Sequence, residues 1–319
     1  MGRFLKVFLI WIAIALFLAC ALDVMITLGL RRTDIRKYAV WNDIHRKTIN
    51  ADLVVLGSSR AWCAYNTYML DTLLHCNSYN LGIDGHSLDM QLVRYETYRR
   101  FNPAPKVIVL NTDFLSTFNV NADPQYEREQ FFPFITDRKL VARVKEEKHL
   151  SFLERNCPIV RYFGYRKEIE NGMTSFFGRN DFQDGGMYKG YRGNDYSWRE
   201  PRIDTVYQVT VDTCQVHLLD SFVADCQAEG IQVFFVKSPV YTPLLDCFEG
   251  VEIFDSFLGS VSNQHIVPVL DYSREPFCRD KSFFYDAGHL NTRGSVTFTR
   301  MLCEDLVNDF ADKATCLEE

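Results

Sequence analysis

Several features that would define a protein class are absent from this sequence of 319 residues. Its Lys and Arg residues are not clustered and its net charge is −6, which argues against binding to a nucleic-acid backbone. Ten cysteines are present, but no two are spaced as Cys-x-x-Cys, so we expect no zinc site. There is no internal repeat or low-complexity linker, and a composition of 47% apolar and 24% charged residues excludes a disordered chain. A globular protein with a full hydrophobic core remains.

A long apolar run lies at the N-terminus. Residues 7–22 carry no charge, Asp23 interrupts, and the apolar character continues to Leu30. Three interpretations remain open: a membrane-spanning anchor over residues 7–30, a signal peptide cleaved at Ala19-Cys20-Ala21, and a lipoprotein signal ending at Cys20. The anchor is favoured because 24 residues with one polar interruption can cross about 30 Å of hydrocarbon. Each interpretation sends the rest of the chain out of the cytoplasm.

The charges that flank the apolar run favour the opposite orientation. Only Arg3 and Lys6 precede it, whereas four basic residues follow it: Arg31, Arg32, Arg36 and Lys37. By the positive-inside rule alone, the C-terminal part would lie inside the cell. The topology is therefore argued from the chemistry of the predicted site.

Beyond residue 50, short apolar runs alternate with helical patterns. The predicted strands are 52–57, 79–85, 106–111, 232–237 and 265–270, and helical spacing recurs in 88–95, 216–226 and 298–310. Such alternation predicts an α/β fold with a parallel sheet covered on both faces. Residues 114–203 lack the alternation, and we interpret them as an insertion after the third strand. Ligands bind such sheets beyond the carboxyl ends of the strands, at the loops near Ser58, Asp84 and Asp113.

The strongest chemical signal lies near the C-terminus, in Asp286-Ala-Gly-His289-Leu-Asn291. A carboxylate three residues before an imidazole on a tight turn can accept the Nδ1–H, which fixes the tautomer and leaves Nε2 as a base. Asn291 suits the N-cap of the closing helix. The alternative interpretation is a helix-capping aspartate beside an incidental histidine.

Three further segments supply what such a base needs. Gly57-Ser58-Ser59 ends the first strand and can present a hydroxyl at the sheet edge. The turn at Asn80-Leu-Gly-Ile-Asp-Gly85 can point a backbone N–H at an oxyanion, and Asn111 at the end of the third strand could add a side-chain donor. No Gly-x-Ser-x-Gly is present, which excludes the α/β-hydrolase elbow as a motif.

In this order, the four segments resemble the SGNH (GDSL-like) hydrolase superfamily over residues 50–312, apart from the insertion. The resemblance implies a flavodoxin-like three-layer α/β/α fold with a five-stranded parallel sheet. It implies Ser59 rather than Ser58 as nucleophile, with Asp286 and His289 completing the catalytic residues and the backbone N–H groups of Ser59 and Gly85 as oxyanion donors. The third segment departs from the family pattern, so the oxyanion role falls to Asn111, to Thr112 or to no side chain. This chemistry needs no metal and no organic cofactor.

The N-terminal apolar run, the Gly-Ser-Ser turn and the long insertion are similar to the membrane-anchored branch with DltD-like and alginate-acetylation-like proteins. We therefore expect residues 1–32 to be a membrane or signal segment and 33–319 to be one SGNH-like domain outside the cytoplasm. The expected function is a serine O-acyl esterase or O-acyltransferase on an acylated envelope polysaccharide, with a multispanning membrane O-acyltransferase as a possible partner. The alternatives are a non-catalytic scaffold that binds a glycan or that partner, and an assembly protein with an accidental resemblance.

Two further predictions concern substrate binding. Arg60 either holds an anionic group of the substrate or braces the turn through an ion pair. The aromatic residues of the insertion either form its own core or line a sugar-binding rim, with Tyr191 and Trp198 as the main candidates beside Tyr188 and Tyr196.

Overall fold

The computed structural model describes residues 2–118, 125–179, 187–196, 198, 200 and 206–315, with side chains through residue 308. Within the predicted insertion of residues 114–203, residues 119–124, 180–186, 197, 199 and 201–203 lie outside the described residues. The chain divides into two compact units, which are described separately. We call residues 1–46 with 123–185 the N-terminal unit, and residues 47–122 with 186–319 the sheet unit.

The elements are named in chain order. The strands of the described residues are β1 (Leu53–Leu56), β2 (Ser78–Asn80), β3 (Val107–Asn111), β4 (Tyr207–Gln208), β5 (Gln232–Lys237), β6 (Phe248–Glu249), β7 (Val269–Asp271), β8 (Phe284–Asp286) and β9 (His289–Leu290). The α-helices are α1 (Gly2–Leu30), α2 (Arg36–Arg46), α3 (Ser59–Ala64), α4 (Thr67–Leu74), α5 (Leu88–Phe101), α6 (Arg138–Val144), α7 (Phe152–Asn156), α8 (Arg166–Phe176), α9 (Thr213–Ala228), α10 (Thr242–Leu245), α11 (Val251–His265) and α12 (Thr292–Thr315).

A five-stranded parallel sheet forms the centre of the sheet unit. Its strand order is β2-β1-β3-β5-β7, the flavodoxin-like order, and helices cover both sides. All four residues of β1 are buried, as are the four central residues of β5, because a sheet covered on both faces needs apolar side chains at every position. The predicted fold class is confirmed.

The fifth strand differs from its predicted bounds. The apolar run predicted a strand from residue 265, but α11 continues to His265, and Ile266 adopts a left-handed conformation with φ of 54°. His265 is held in the helix end by Asp220, whose carboxylate lies 2.7 Å from its Nε2. Pro268 has no N–H to donate to a neighbouring strand, so regular pairing begins at Val269.

The core of the sheet unit joins the sheet to the closing helix. Phe298, Leu302 and Leu306 of α12 are fully buried, at the spacing that the sequence predicted. Cys278 and Cys303 pack in the same cluster, and burial raises the pKa of their thiols to about 11 and 12. The nine cysteines among the described residues are free thiols. Buried cysteines of this kind act as small apolar side chains.

In the N-terminal unit, α1 is a continuous helix of 29 residues that is long and apolar enough to cross a membrane. Its apolar residues from Phe4 to Leu18 are largely exposed. Its last turns are part of the unit: Asp23 pairs with Arg161 at 2.6 Å, and its other carboxylate oxygen accepts the Ile159 N–H at 2.9 Å. Asp23, which interrupts the apolar run, therefore forms tertiary contacts within this unit.

Helices α1 and α8 touch through glycines. A Cβ on Gly29 would lie 1.7 Å from the Gly172 carbonyl oxygen, and a Cβ on Gly172 would lie 2.7 Å from the Ile26 carbonyl oxygen. Only hydrogen at both positions lets the two backbones approach this closely. The C-terminal third of α1 is therefore fixed to the unit by close backbone packing.

Candidate active site

Ser59 is the first residue of a helix that follows the β1 strand. The strand ends at Leu56, Gly57 turns the chain with φ of 147°, and α3 begins at Ser59. A Cβ on Gly57 would lie 2.7 Å from the Cβ of Ala61 and 2.8 Å from the Cβ of Asn111. Neither the space nor the backbone conformation accepts a side chain here. This turn fixes Ser59 at the carboxyl edge of the sheet.

The β8–β9 hairpin brings a carboxylate and an imidazole to this serine. Ser59 Oγ lies 2.8 Å from His289 Nε2, and His289 Nδ1 lies 2.8 Å from Asp286 Oδ1. The Gly288 N–H donates to the same carboxylate oxygen at 2.9 Å. The structure therefore aligns hydroxyl, imidazole and carboxylate in one hydrogen-bonded chain, the geometry in which a serine can lose its proton to a histidine.

The surroundings of Asp286 keep it ionised. Burial alone would raise the pKa of this carboxyl, but its hydrogen bond and charge interaction with His289, together with the Gly288 N–H, hold the pKa below its ordinary value. An ionised Asp286 accepts the Nδ1–H and leaves the Nε2 lone pair facing Ser59. Tyr285 stacks on the imidazole, with ring centroids 5.4 Å apart and planes at 15°, and covers one of its faces.

The neighbouring serine is engaged elsewhere. Ser58 is buried, and its hydroxyl donates to Asp113 Oδ2 at 3.3 Å. Asp113 also accepts the backbone N–H groups of Leu115 and Ser116, at 3.0 and 2.9 Å. The two adjacent hydroxyls thus have different partners, and Ser59 is the one that meets the imidazole.

Arg60 lies between α3 and the hairpin. It is 5% exposed, and its guanidinium donates to the carbonyl oxygens of Gly288 at 3.2 Å and Pro239 at 3.4 Å. Its Nη1 also lies 4.0 Å from Asp113 Oδ1. Through these contacts Arg60 ties the helix of Ser59 to the turn just before His289.

Asn80 holds the glycine turn against α3. Its amide nitrogen donates to the Ala61 carbonyl at 2.8 Å, and its amide oxygen accepts the Gly82 N–H at 2.9 Å. Gly82 itself packs so tightly that a Cβ at this position would lie 2.7 Å from the backbone nitrogen of Trp62. Gly85, in the left-handed region with φ of 65°, ends the turn.

A cavity of about 210 Å³ opens beside the hydrogen-bonded chain. Its described lining consists of Ser58, Ser59, Arg60, Gly85, His86, Ser87, Asp113, Leu115, Ser116, Gly288 and His289. Ser59 and Gly85 thus line the same cavity. His86 and Tyr285 were not among the predicted site residues. His86 directly follows Gly85 and Tyr285 directly precedes Asp286, and this adjacency was the available signal.

Asn111 does not reach this cavity. It is fully buried at the end of β3, where its amide oxygen accepts the Tyr65 hydroxyl at 2.9 Å and its amide nitrogen lies 3.3 Å from Asp113 Oδ2. Both ends of the amide are thereby used within the core. The structure places Asn111 among the residues that support the site.

Tyr191 and Trp198 do not line the cavity either. Tyr191 is 7% exposed, and Trp198 packs on Tyr241 with ring centroids 5.0 Å apart. Tyr196, in contrast, is 55% exposed. Its ring centroid lies 6.3 Å from that of Tyr285, the ring that stacks on His289. Among the described members of the predicted aromatic rim, Tyr196 is the one that these contacts connect to the site.

No group of three His, Cys, Asp or Glu side chains within the described ranges is arranged to hold a metal ion.

No family model and no curated protein matches this chain. Among solved structures, the chain is similar to a "putative acylhydrolase" from Bacteroides fragilis NCTC 9343, with 11% identity and a TM-score of 0.40 over 84% of this chain and 95% of that one.

Proposed function

We propose that this protein is an SGNH-type serine O-acyl esterase or O-acyltransferase. The observation that carries the proposal is the chain of two 2.8 Å contacts from Ser59 through His289 to Asp286. A serine hydroxyl is a weak nucleophile unless an adjacent base takes its proton, and this arrangement supplies such a base with its tautomer fixed. The cavity beside Ser59 provides space for an ester.

The reaction follows from these groups. Ser59 Oγ attacks the ester carbonyl carbon while His289 Nε2 takes the hydroxyl proton, and Asp286 stabilises the imidazolium. The backbone N–H groups of Ser59 and Gly85 donate to the oxyanion of the tetrahedral intermediate. His289 then protonates the departing alcohol oxygen, which leaves an ester on Ser59. Water or a sugar hydroxyl attacks this ester, gives its proton to His289, and Ser59 regains the proton as the acyl group leaves.

The proposal extends to the place where the protein acts. In this proposal α1 anchors the protein in a membrane and the sheet unit lies outside the cytoplasm, where it acts on an acylated envelope polysaccharide. The length and composition of α1 and the resemblance to membrane-anchored SGNH proteins support this view. A multispanning membrane O-acyltransferase would be the partner that delivers acyl groups, while Tyr196 would offer its exposed ring to the glycan.

Active-site labelling tests the catalytic assignment. A fluorophosphonate should label Ser59 in the wild type, and Ser59→Ala and His289→Ala should each lower turnover of a soluble acetyl ester by about 10³-fold or more. Ser58→Ala is the matched control, because its hydroxyl contacts Asp113 rather than His289. An unlabelled wild type without esterase activity would contradict the proposal and favour a non-catalytic scaffold.

A further inference from the structure

A second cavity of about 470 Å³ lies in the sheet unit beyond the carboxyl ends of β3, β5 and β7. Thr112 follows β3 directly, Ser238 follows β5 directly, and Ser273 comes two residues after β7. This cavity shares Arg60 and Asp113 with the smaller cavity beside Ser59. It therefore lies next to the proposed reaction centre, at the sheet edge where ligands of such folds bind.

Two hydroxyls in this cavity lack a partner. Thr112 and Ser238 are only 0% and 3% exposed, and their hydroxyl oxygens make no hydrogen bond to any described residue. A buried hydroxyl left unpaired costs about 1–3 kcal/mol, so native structures rarely keep one unless water or a ligand satisfies it. Both residues line the same space, which makes them a pair of neutral hydrogen-bonding groups for one occupant.

The cations of the cavity are already engaged. Lys237 binds Asp255 at 2.8 Å and Asp271 at 2.7 Å, and Arg274 binds Asp246 at 2.9 Å. Arg60 donates to two backbone carbonyls, as described above. An anionic ligand would have to displace these contacts, whereas a neutral hydroxylated ligand needs only the two free hydroxyls.

Part of the cavity lining is apolar. It includes Phe114 and Phe254, with Val240, Leu245 and Val251, and the cavity volume falls within the range of small-molecule sites. A sugar ring has a matching character, because its faces carry C–H groups that pack on apolar side chains and its edge carries hydroxyls.

We propose that this cavity binds the neutral sugar that accepts the acyl group from Ser59. The inference rests on the proposed function and assigns its acceptor. A sugar hydroxyl attacks the acyl carbon on Ser59, its proton passes through His289 Nε2 to Ser59 Oγ, and the acyl–Ser59 bond breaks as the sugar ester forms. Thr112 and Ser238 hold other hydroxyls of the same ring.

Acyl partitioning tests this assignment. The full chain in detergent receives p-nitrophenyl acetate as donor and methyl β-glucoside or methyl N-acetyl-β-glucosaminide as acceptor. Nitrophenol release reports acylation of Ser59, and mass spectrometry reports the acetylated sugar. In the wild type, the ratio of transfer to hydrolysis should rise and saturate with at least one of these sugars. Ser238→Ala and the shape-conserving Thr112→Val should each raise the half-saturating sugar concentration about 10-fold.

Ser260→Ala is the control, since this exposed serine of α11 lies outside the cavity lining and its hydroxyl donates to the Phe257 carbonyl at 2.7 Å. It should leave the half-saturating concentration unchanged, and melting temperatures verify that each variant is folded. Two outcomes would overturn the assignment of this cavity to the acceptor sugar. One is nitrophenol release without saturable transfer to either sugar, and the other is equal half-saturation in Ser238→Ala, Thr112→Val and the wild type. An absence of nitrophenol release would overturn the esterase proposal itself.

Discussion

Two adjacent serines show how residue-scale contacts separate the roles of identical side chains. Ser58 donates to Asp113 within the core, while Ser59 faces the imidazole. The pairing of Asp286 with His289 could be predicted from the sequence because the two lie three residues apart on one turn. The acceptors of Arg60 at Pro239 and Gly288 could not be predicted, because they are far away in sequence and are backbone atoms without a sequence signature.

The state of Asp286 has a consequence for stability. Its pKa is below the ordinary value in the folded protein, so the carboxylate contributes stability that is present above the unfolded-state pKa of about 3.9 and is lost as pH falls through the folded pKa. Asp286→Asn should therefore unfold at lower urea concentration than the wild type at pH 7. The two midpoints should converge as the pH falls below about 3.9 toward the lower pKa of Asp286 in the folded protein. A constant difference across this range would contradict the assignment.

The exposed ring of Tyr196 gives a second residue-scale prediction. If this ring meets the glycan, Tyr196→Ala should raise the KM for a polymeric substrate about 5-fold or more and spare a small soluble ester, because only the polymer extends to the rim. Tyr188→Ala is the matched control: this ring is 43% exposed but packs on Tyr68. Equal effects of the two variants on the polymer would argue against a rim at Tyr196.

At the scale of elements, the site depends on where strands end. The β1 and β3 strands formed where their apolar runs predicted them, since strands buried along nearly their whole length leave a strong sequence signal. The second predicted strand stops early, at Asn80, because this side chain turns back to cap the Gly82 N–H. The fifth begins late because α11 extends into its apolar run. Apolar runs identify elements, whereas individual side-chain hydrogen bonds set their ends.

The turn between β1 and α3 is the element on which the nucleophile depends. Gly57→Ala should lower stability by about 2 kcal/mol and esterase activity more than 10-fold, because the new Cβ would clash with Ala61 and Asn111 in a strained conformation. Gly259→Ala, in α11 with nothing within 4 Å, should be neutral or stabilising by up to about 1 kcal/mol. Urea unfolding and ester turnover measure both. A fully active Gly57→Ala would show that the turn tolerates a side chain.

At the scale of the whole molecule, the N-terminal unit contains an ion pair whose cation is buried. Asp23 and Arg161 have side chains 13% and 6% exposed, so Asp23→Ala leaves a buried cation without its partner and should lower the free energy of unfolding by about 3 kcal/mol. The exposed pair of Arg166 with Glu170 is the comparison, and Glu170→Ala should change nothing measurable. Denaturant unfolding in detergent gives both values, and equal values would contradict this reasoning.

Topology is the second prediction at this scale. The proposed substrate, an envelope polysaccharide, requires the sheet unit outside the cytoplasm, whereas the basic residues after α1 favour the inside. Reporters fused after Glu319 should therefore be active only when the reporter functions outside the cytoplasm. Activity of the cytoplasmic reporter alone would reverse the topology and exclude an envelope polysaccharide as substrate.

The contact between Asp23 and Arg161 also bears on which bilayer suits the protein. The uncharged part of α1 lies between Lys6 and Asp23. It is 16 residues long, which corresponds to about 24 Å at 1.5 Å per residue. It cannot be extended toward the C-terminus without drawing a paired carboxylate and guanidinium into hydrocarbon. Hydrophobic mismatch in a thick, ordered membrane would then have to be relieved by local thinning or by snorkelling of Lys6. If α1 anchors the protein as proposed, lipid thickness becomes a determinant of where it accumulates.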